Sequence, residues 1–461
     1  MNKNCAVILA AGDGKRMKSD LSKVLSKVLF VPMIDWVANA VKASGISEIC
    51  IVTGFAGEQV KSHMGESFSY AVQEHRLGTG HAVMQALDFI KKSDADNVLI
   101  LNGDAPLIDA DTIRCACREH MDTNSAITLV SASVPDPAGY GRVIRSSGGK
   151  LVRVAEHRDA TPDELTINEV NSGLYWFKKD DLIYALSQMK PENDQGEYYL
   201  TDAVGILIAA GLETSAYKTL NSHVVLGAND RVQLMQLNEI ARMEVLHRLM
   251  ISGVDIPCTD GIIISDGVPV GLGSTILPNT ILRGKTQVGS NCTLGPNCLI
   301  ENCIIQDNVK LCNVQAENST IKNSSDAGPF AHIRPGCEIG PNVHIGNFVE
   351  VKNSVLDDGS KVPHLTYIGD SDIGRGVNFG CGSLTVNYDG KNKHRTTIKD
   401  RAFIGCNTNL LAPVTVGEFA FIAAGSTISD DVPPFALAIA RGRQTNKENW
   451  VAEKKPYKNM D

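Results

Sequence analysis

No apolar run in this 461-residue chain approaches the roughly 18 residues that a membrane span requires, so the sequence predicts no membrane partner. The one segment resembling a signal peptide, Cys5 to Ala11, runs directly into Gly12-Asp13-Gly14-Lys15-Arg16 without a cleavage site. It reads as a buried strand, and the protein as cytoplasmic. Positive charge is not in excess either. A net charge of -8 excludes a nucleic-acid-coating protein, while leaving room for a local basic pocket that holds a phosphorylated ligand. The twelve cysteines contain no Cys-x-x-Cys pair, and Cys115-Ala116-Cys117 has neither a matching pair nor a His cluster nearby, which argues against a zinc site. Without a secretion signal a disulfide framework is not expected, and Cys292, Cys298, Cys303 and Cys312 read as small packing residues.

The second half carries a six-residue beat. Aliphatic residues stand at Val270, Ile276, Leu282, Val288, Leu294 and Ile300, again at Ile333, Ile339, Ile345 and Val351, and again from Ile398 through Ile404, Leu410, Val416 and Ile422 to Ile428. Neither a helix nor simple strand alternation has period six. The beat predicts short parallel strands stacked coil on coil around one interior. Residues 252 to 437 make roughly ten coils at about 18 residues each. The beat breaks twice, between Val351 and Ile368 and between Ile373 and Ile398, and loops that leave a solenoid are where function concentrates.

The first half alternates strand-like runs with helical patterns: Cys5 to Ala11, Met33 to Ala43, Ile49 to Thr53, His81 to Ile90, Asn97 to Leu101, then strands at Ala126 to Val134 and Gly173 to Phe177 and a helix near Asp202 to Ala210. That order predicts an α/β domain with a mostly parallel sheet over residues 1–228. Val232, Leu234, Leu237, Ala241, Val245 and Leu249 fit one face of a connecting helix over 229–251. The repeats and a basic tail with Arg441, Arg443, Lys447, Lys454, Lys455 and Lys458 fill 252–461.

Leu9-Ala10-Ala11-Gly12-Asp13-Gly14-Lys15-Arg16-Met17 follows the first strand, where glycines and exposed N–H groups can approach a phosphate. By itself this loop suits a plain tight turn equally well. It lacks the third glycine of the dinucleotide fingerprint and the Gly-Lys-Ser/Thr of a phosphate loop. Lys23 adds positive charge nearby, Gln73 to His81 combines an amide, a turn and a hydroxyl suited to reading a base edge, and Asp104 follows an apolar strand at the edge where open α/β sheets bind ligands. A carboxylate there suits a hard cation that bridges phosphate oxygens.

These motifs, with Gly139-Tyr140-Gly141-Arg142, Glu156-His157, Asn171-Ser172-Gly173, Gly196-Glu197-Tyr198-Tyr199 and Asn229, resemble sugar-1-phosphate nucleotidyltransferases. With the repeats attached, nearly the whole chain resembles the bacterial bifunctional N-acetylglucosamine-1-phosphate uridylyltransferase / glucosamine-1-phosphate N-acetyltransferase family. The resemblance implies a Rossmann-like nucleotidyltransferase domain followed by a left-handed parallel β-helix of hexapeptide repeats. It implies that Leu9, Ala10, Ala11, Gly12, Gln73, Gly78 and Thr79 hold the uridine nucleotide, that Gly141, Glu156 and Asn171 contact the acetylated sugar, and that Asn102 and Gly103 belong to the combined site for UTP and UDP-N-acetylglucosamine. Asp104 and Asn229 would bind Mg2+, and Arg16 and Lys23 would neutralise the triphosphate. The family commonly has an aromatic residue before Gly103-Asp104 and a proline before Lys23, where this chain has Asn102 and Ser22. The expected effects are altered sugar packing and a looser lysine loop.

Acetyl transfer from a thioester to an amine needs a base, and His364, in the first break of the beat, titrates near working pH. Arg334, Lys352, Asn387 and Tyr388 supply groups suited to an anionic sugar phosphate. The resemblance implies His364 as base, Glu350 as its orienting carboxylate, and Arg334, Lys352, Tyr367 and Asn378 as contacts to glucosamine 1-phosphate. It further implies Cys381, Asn387, Tyr388, Cys406, Ala424 and Arg441 as the lining of the acetyl-CoA site. Cys381 and Cys406 replace a usual alanine and serine, which would weaken a hydroxyl hydrogen bond at 406 to a thiol's. The implied product is UDP-N-acetylglucosamine, which supplies peptidoglycan and lipopolysaccharide, and the implied assembly is a homotrimer. The alternative is a single-function sugar-1-phosphate nucleotidyltransferase whose repeats are a structural or regulatory scaffold.

Overall fold

The structure is a computed structural model that describes residues 3–454 and 456, apart from 13, 55 and 194. Asp13, Lys455 and Lys458 therefore lie outside the described residues. The chain divides into two units, Met1–Met243 and Glu244–Asp461.

In the first unit a nine-stranded sheet forms from β1 (Asn4–Ala10), β2 (Glu48–Thr53), β3 (Ser69–Val72), β4 (Asn97–Asn102), β5 (Ile127–Ser133), β6 (Arg142–Arg145), β7 (Leu151–Ala155), β8 (Glu169–Lys178) and β9 (Thr214–Lys218). Its main order is β9-β5-β8-β4-β1-β2-β3, with the β6–β7 hairpin attached to β8. Strands β1 to β4 pair in parallel, but β8 is antiparallel to β4, β5 and β6. Because β5 lies antiparallel to β8 and parallel to β9, six of the seven strands on the main path point one way and the sheet is mostly parallel, with β8 set into it as the reversed strand.

The apolar runs follow from burial on both faces. Along β1, Cys5 and Val7 enter one core layer and Ala6, Ile8 and Ala10 the other. Helices Met33–Ala43 and Ala110–Asp122 cover the Ile8 side through Ile34, Val37, Val41, Ile113 and Ala116. The stretch expected as one helix over 81–90 is two, Thr79–Gln85 and Leu87–Lys92, divided at Ala86. In helix Arg231–Ile251, Leu237, Ala241, Val245 and Leu249 are buried, whereas Val232, expected on the same face, is exposed. What positions a site is the chain order. Successive strands run from β1 to β3 in one direction and resume with β4 on the other side of β1, so the segments after β1 and β4 meet at a topological switch point.

The second unit is a parallel β-helix whose three faces are sheets of ten, ten and eight strands. Ile276 pairs with Leu294 and Leu282 with Ile300, each 18 positions on, and the aliphatic positions from Ile276 to Ile428 are buried. Corners need a left-handed residue, which asparagine tolerates. Asn279, Asn297 and Asn313 sit there and pass hydrogen bonds up one edge at 3.0 and 2.9 Å. The first expected break is not a break. Strands Val355–Leu356, Lys361–His364 and Tyr367–Gly369 continue the coil, and buried Leu356, Val362 and Ile368 keep its period of six. His364 ends a strand rather than sitting in an excursion. The second break is real but short, since strands Asn378–Phe379 and Leu384–Val386 occupy its first part and the chain departs only from Asn387.

Candidate active sites

The first site lies at the carboxyl edge of β1 and β4. Gly103 N donates to Leu9 O at 2.9 Å, closing the two strand ends together. Lys23 Nζ donates to Asn229 Oδ1 at 2.8 Å and forms an ion pair with Asp104 Oδ2. The Lys23 and Asp104 side chains are only 11% and 22% exposed, so each charge depends on the other. Asn229 is held in turn by its N–H, which donates to Gln233 Oε1 at 2.7 Å.

Two adjoining cavities meet at this cluster. One, of about 270 Å³, collects Gly141, Glu156 and Asn171 with Asp104 and Asn229. The other, of about 310 Å³, collects Gly12, Lys23, Gln73 and Gly78, and both share Leu9, Thr79, Asn102 and Asp104. The residues expected to hold sugar and nucleotide thus separate into neighbouring compartments with the charged cluster between them. In the second cavity Gln73 Nε2 donates to Gly78 O at 3.0 Å. Gly78 has φ +103°, and a Cβ there would lie 2.5 Å from Tyr198 O, so the position admits no side chain. Tyr198 closes the loop by accepting Gly80 N at 2.8 Å and donating its own N–H to Leu77 O at 2.7 Å.

On the sugar side, Thr201 Oγ1 donates to Glu156 Oε1 at 3.0 Å. Burial pushes the Glu156 carboxyl up, against the Thr201 hydrogen bond. Asp202 is raised to about 6 by burial, with Glu156 and Asp159 adding to it. Asn171 Nδ2 donates to Tyr175 OH at 2.5 Å and Asn171 Oδ1 accepts Gly173 N at 3.1 Å. Two expected contacts stand apart. Ala10 points into the core, because strand alternation turns it away from the edge, and Arg16 is exposed on the turn Lys15–Met17 with no ion pair to Asp104 among the described residues. The loop before Lys23 is not loose: Ser22 N, a donor that proline would lack, donates to Gln59 Oε1 at 3.0 Å. Asn102 packs over Gly173, where a Cβ would strike its amide.

The residues expected at the second site divide between two outer faces of the β-helix. With Ile333, Val351 and Ile368 turned inward, their strand neighbours Arg334, Glu350, Lys352 and Tyr367 project outward. Arg334 Nη1 donates to Glu350 Oε1 at 2.7 Å. Glu350 is therefore engaged with Arg334, and no hydrogen bond joins it to His364 among the described residues; the expected orienting contact is absent because the two side chains leave from different faces. His364 is exposed at the end of its strand, in register with Asn347. Asn378 stands on that same face, in register with Lys361.

Two residues of this region, Asp370 and Lys393, were not legible as site residues. Asp370 is buried and accepts Asn353 Nδ2 at 2.6 Å, Asn387 Nδ2, and Lys352 Nζ at 3.4 Å. Those donors hold its carboxyl below the usual range even though burial works the other way. Lys393 sits against Lys352, whose charge holds it below the usual lysine range. Two ammonium groups beside Arg334 make a place for an anion. The excursion carrying Lys393 is pinned by Asp389, which accepts the N–H groups of Lys391 and Asn392 at 2.7 and 2.6 Å and pairs with His394 Nε2 at 2.7 Å. Tyr388 is exposed on it, its OH donating to Gly390 O at 2.7 Å.

Cys381, Cys406, Ala424 and Arg441 fall on successive coils. Cys381 O accepts Asn407 N and Cys406 O accepts Gly425 N, both at 2.8 Å, and Arg441 Nη1 donates to Ala424 O at 2.8 Å. They form a line along the β-helix, one residue per coil and about 4.8 Å apart. All twelve cysteines are free thiols, and burial pushes Cys303 up to about 11.

The nucleotidyl transferase family profile matches residues 5–222, and the profile for six repeats of the bacterial transferase hexapeptide matches residues 318–353. The bifunctional protein GlmU of Acetivibrio thermocellus is 47% identical over 449 residues, 97% of each chain. That of a Geobacillus species is 48% identical over 451 residues, 98% of each chain, and that of Thermoanaerobacter pseudethanolicus 48% over 448 residues, 97% of each chain. Such likeness over both units, and not over the nucleotidyl transferase half alone, means that the chain belongs to the family of the bifunctional protein GlmU.

Proposed function

We propose that the chain makes UDP-N-acetylglucosamine in two steps, acetylating glucosamine 1-phosphate on the β-helix and then uridylylating the product at the carboxyl edge of the sheet. The observation that carries the reading is that one chain holds two separately built anion sites. One is centred on Lys23, Asp104 and Asn229; the other is centred on Arg334, Lys352 and Lys393.

In the first step His364 takes a proton from the sugar amine as its nitrogen attacks the thioester carbon, and the CoA thiolate leaves. Arg334, Lys352 and Tyr367 hold the sugar phosphate, and Glu350 fixes Arg334. Asn378 and Asn387 border the sugar, and Tyr388, with the line from Cys381 to Arg441, receives acetyl-CoA. In the second step a phosphate oxygen of the acetylated sugar attacks the α-phosphorus of UTP and pyrophosphate leaves. Lys23 and Arg16 neutralise the phosphates, Gln73 and Gly78 to Thr79 read the base, and Glu156 and Asn171 orient the sugar.

The oxygens of Asp104 and Asn229 already share one cation, the Lys23 ammonium, and a hard all-oxygen pair of this kind suits Mg2+ with retained waters. When bound there, Mg2+ would supply charge stabilisation to the phosphates. The same reading includes a cytoplasmic homotrimer built through the β-helix. Supporting it, Phe330 and Phe348 stack at 5.3 Å, and with Leu365 they form an exposed apolar edge beside His364; no helix of the described residues is long and apolar enough to cross a membrane. Pyrophosphate release and CoA thiol release measured on one sample test the proposal. Pyrophosphate release alone would favour the single-function nucleotidyltransferase.

A further inference from the structure

One corner of the β-helix repeats a left-handed residue on successive coils: Gly284, Asn302, Asn318, Gly336, Asn353 and Asp370, with φ between 44° and 81°. Glycine and asparagine suit that backbone, and the corner asks for nothing more. Asp370 is the exception in the column. Its N–H donates to Lys352 O at 2.9 Å and its carbonyl accepts Thr396 N at 3.2 Å, bonds any residue would make. The carboxylate is not needed for the turn, and burying it to 5% exposure is costly unless it is fully hydrogen-bonded.

The donors it has gathered explain its presence. Lys352 Nζ lies 3.4 Å from Oδ2. Asn387 Nδ2 donates to the same oxygen and reaches Tyr367 OH at 3.4 Å. Asn353 Nδ2 reaches Oδ1 at 2.6 Å and steadies the carboxylate from the preceding coil. Lys352, Tyr367 and Asn387 are thereby tied to one anion. With Nδ2 of Asn387 turned toward Asp370, its Oδ1 faces elsewhere. Lys352 is also pressed by Lys393, and the carboxylate is what keeps it in place beside a second ammonium. Gly369 completes the arrangement: a Cβ there would enter the Tyr367 ring, so the ring lies across the backbone next to Asp370.

We propose that Asp370 is a positioning residue of the acetyltransfer site, fixing the Lys352 ammonium and the face of the Asn387 amide that the sugar phosphate meets. The proposal rests on the acetyltransferase reading above. Its test is Asp370→Asn in the full chain, because asparagine already serves this corner at three other coils and a purely structural role predicts no effect. We expect KM for glucosamine 1-phosphate to rise about tenfold or more, the scale of losing charged hydrogen bonds, with uridylyl transfer unchanged. Asp370→Gly, which copies the glycines that hold this corner at positions 284 and 336, should raise KM in the same way and stands in if the first variant misfolds. Unchanged KM, or a lower kcat at constant KM, would reduce Asp370 to a corner residue. A parent chain that releases no CoA from glucosamine 1-phosphate sinks the acetyltransferase reading and this proposal with it, whereas a fully active parent beside an unaltered variant sinks this proposal only.

Discussion

Lys23→Met keeps the length of the side chain and removes the cation between Asp104 and Asn229. The Asp104 carboxylate, 22% exposed, is then left without its partner. Breaking a fully buried pair costs about 3–5 kcal/mol, and partial exposure lowers this to roughly 2–4 kcal/mol through solvent screening. For a unit of this size that is roughly 4–16 °C in Tm. The loss should be largest in EDTA. In the variant a divalent cation no longer competes with an ammonium for the two oxygens, so Mg2+ at 100 times its Kd should return about 2.7 kcal/mol, closing most of the gap to the parent. Thermal unfolding of both proteins, with EDTA and across Mg2+ concentrations, measures this. An equal Tm deficit with and without Mg2+ would refute the claim that lysine and metal share one seat. Uridylyl transfer should fall by about 10²-fold or more for want of phosphate neutralisation, while acetyl transfer continues.

His364→Ala should lower acetyl transfer by about 10²-fold or more, leaving uridylyl transfer intact; near-parental CoA release would remove the base role. Gly78→Ala places a Cβ against Tyr198 O in a backbone region reserved for glycine, a strain of about 1–3 kcal/mol, and should raise KM for UTP in initial-rate assays. Asp202→Asn addresses the acidic cluster. Because the folded pKa of Asp202 is raised to about 6 from 3.8, ionisation opposes folding, so the parent loses stability as pH rises between those values. Tm measured against pH should show parent and variant alike below about 4 and the variant higher above about 6; a constant difference at every pH would remove Asp202 from the account.

Period six named the β-helix because aliphatic side chains alone fill its interior, and the apolar runs of β1 and β4 named the sheet because both of its faces are covered. Where the reading failed, the beat had slipped phase or pairing partners were remote. The beat was lost between Val351 and Ile368 because a step of five, Val351 to Leu356, put Leu356, Val362 and Ile368 out of phase. The reversed direction of β8 could not be read from its apolar run, because direction is fixed by remote pairing partners. Lys23, Asp104 and Asn229 were legible from resemblance, but their mutual contact spans 206 positions and no local pattern encodes it. Asp370 was invisible for a plainer reason. In sequence it is one acid after a glycine, and only the coil spacing brings Asn353 and Asn387, 17 residues to either side, onto its oxygens.

The line from Cys381 to Arg441 works as a ruler with fixed graduations. Each coil advances it by one strand spacing, about 4.8 Å, so three steps reach about 14 Å, and the line cannot be lengthened by fractions of a coil. A ligand lying along it is gauged in whole coils. An insertion of one complete repeat between Cys406 and Ala424 would leave every interior aliphatic in register yet carry Arg441 a full graduation away, whereas extra residues that leave the coil as a loop, as those after Asn387 do, would leave the spacing unchanged. Spacing along this line is therefore discrete, set by the count of coils.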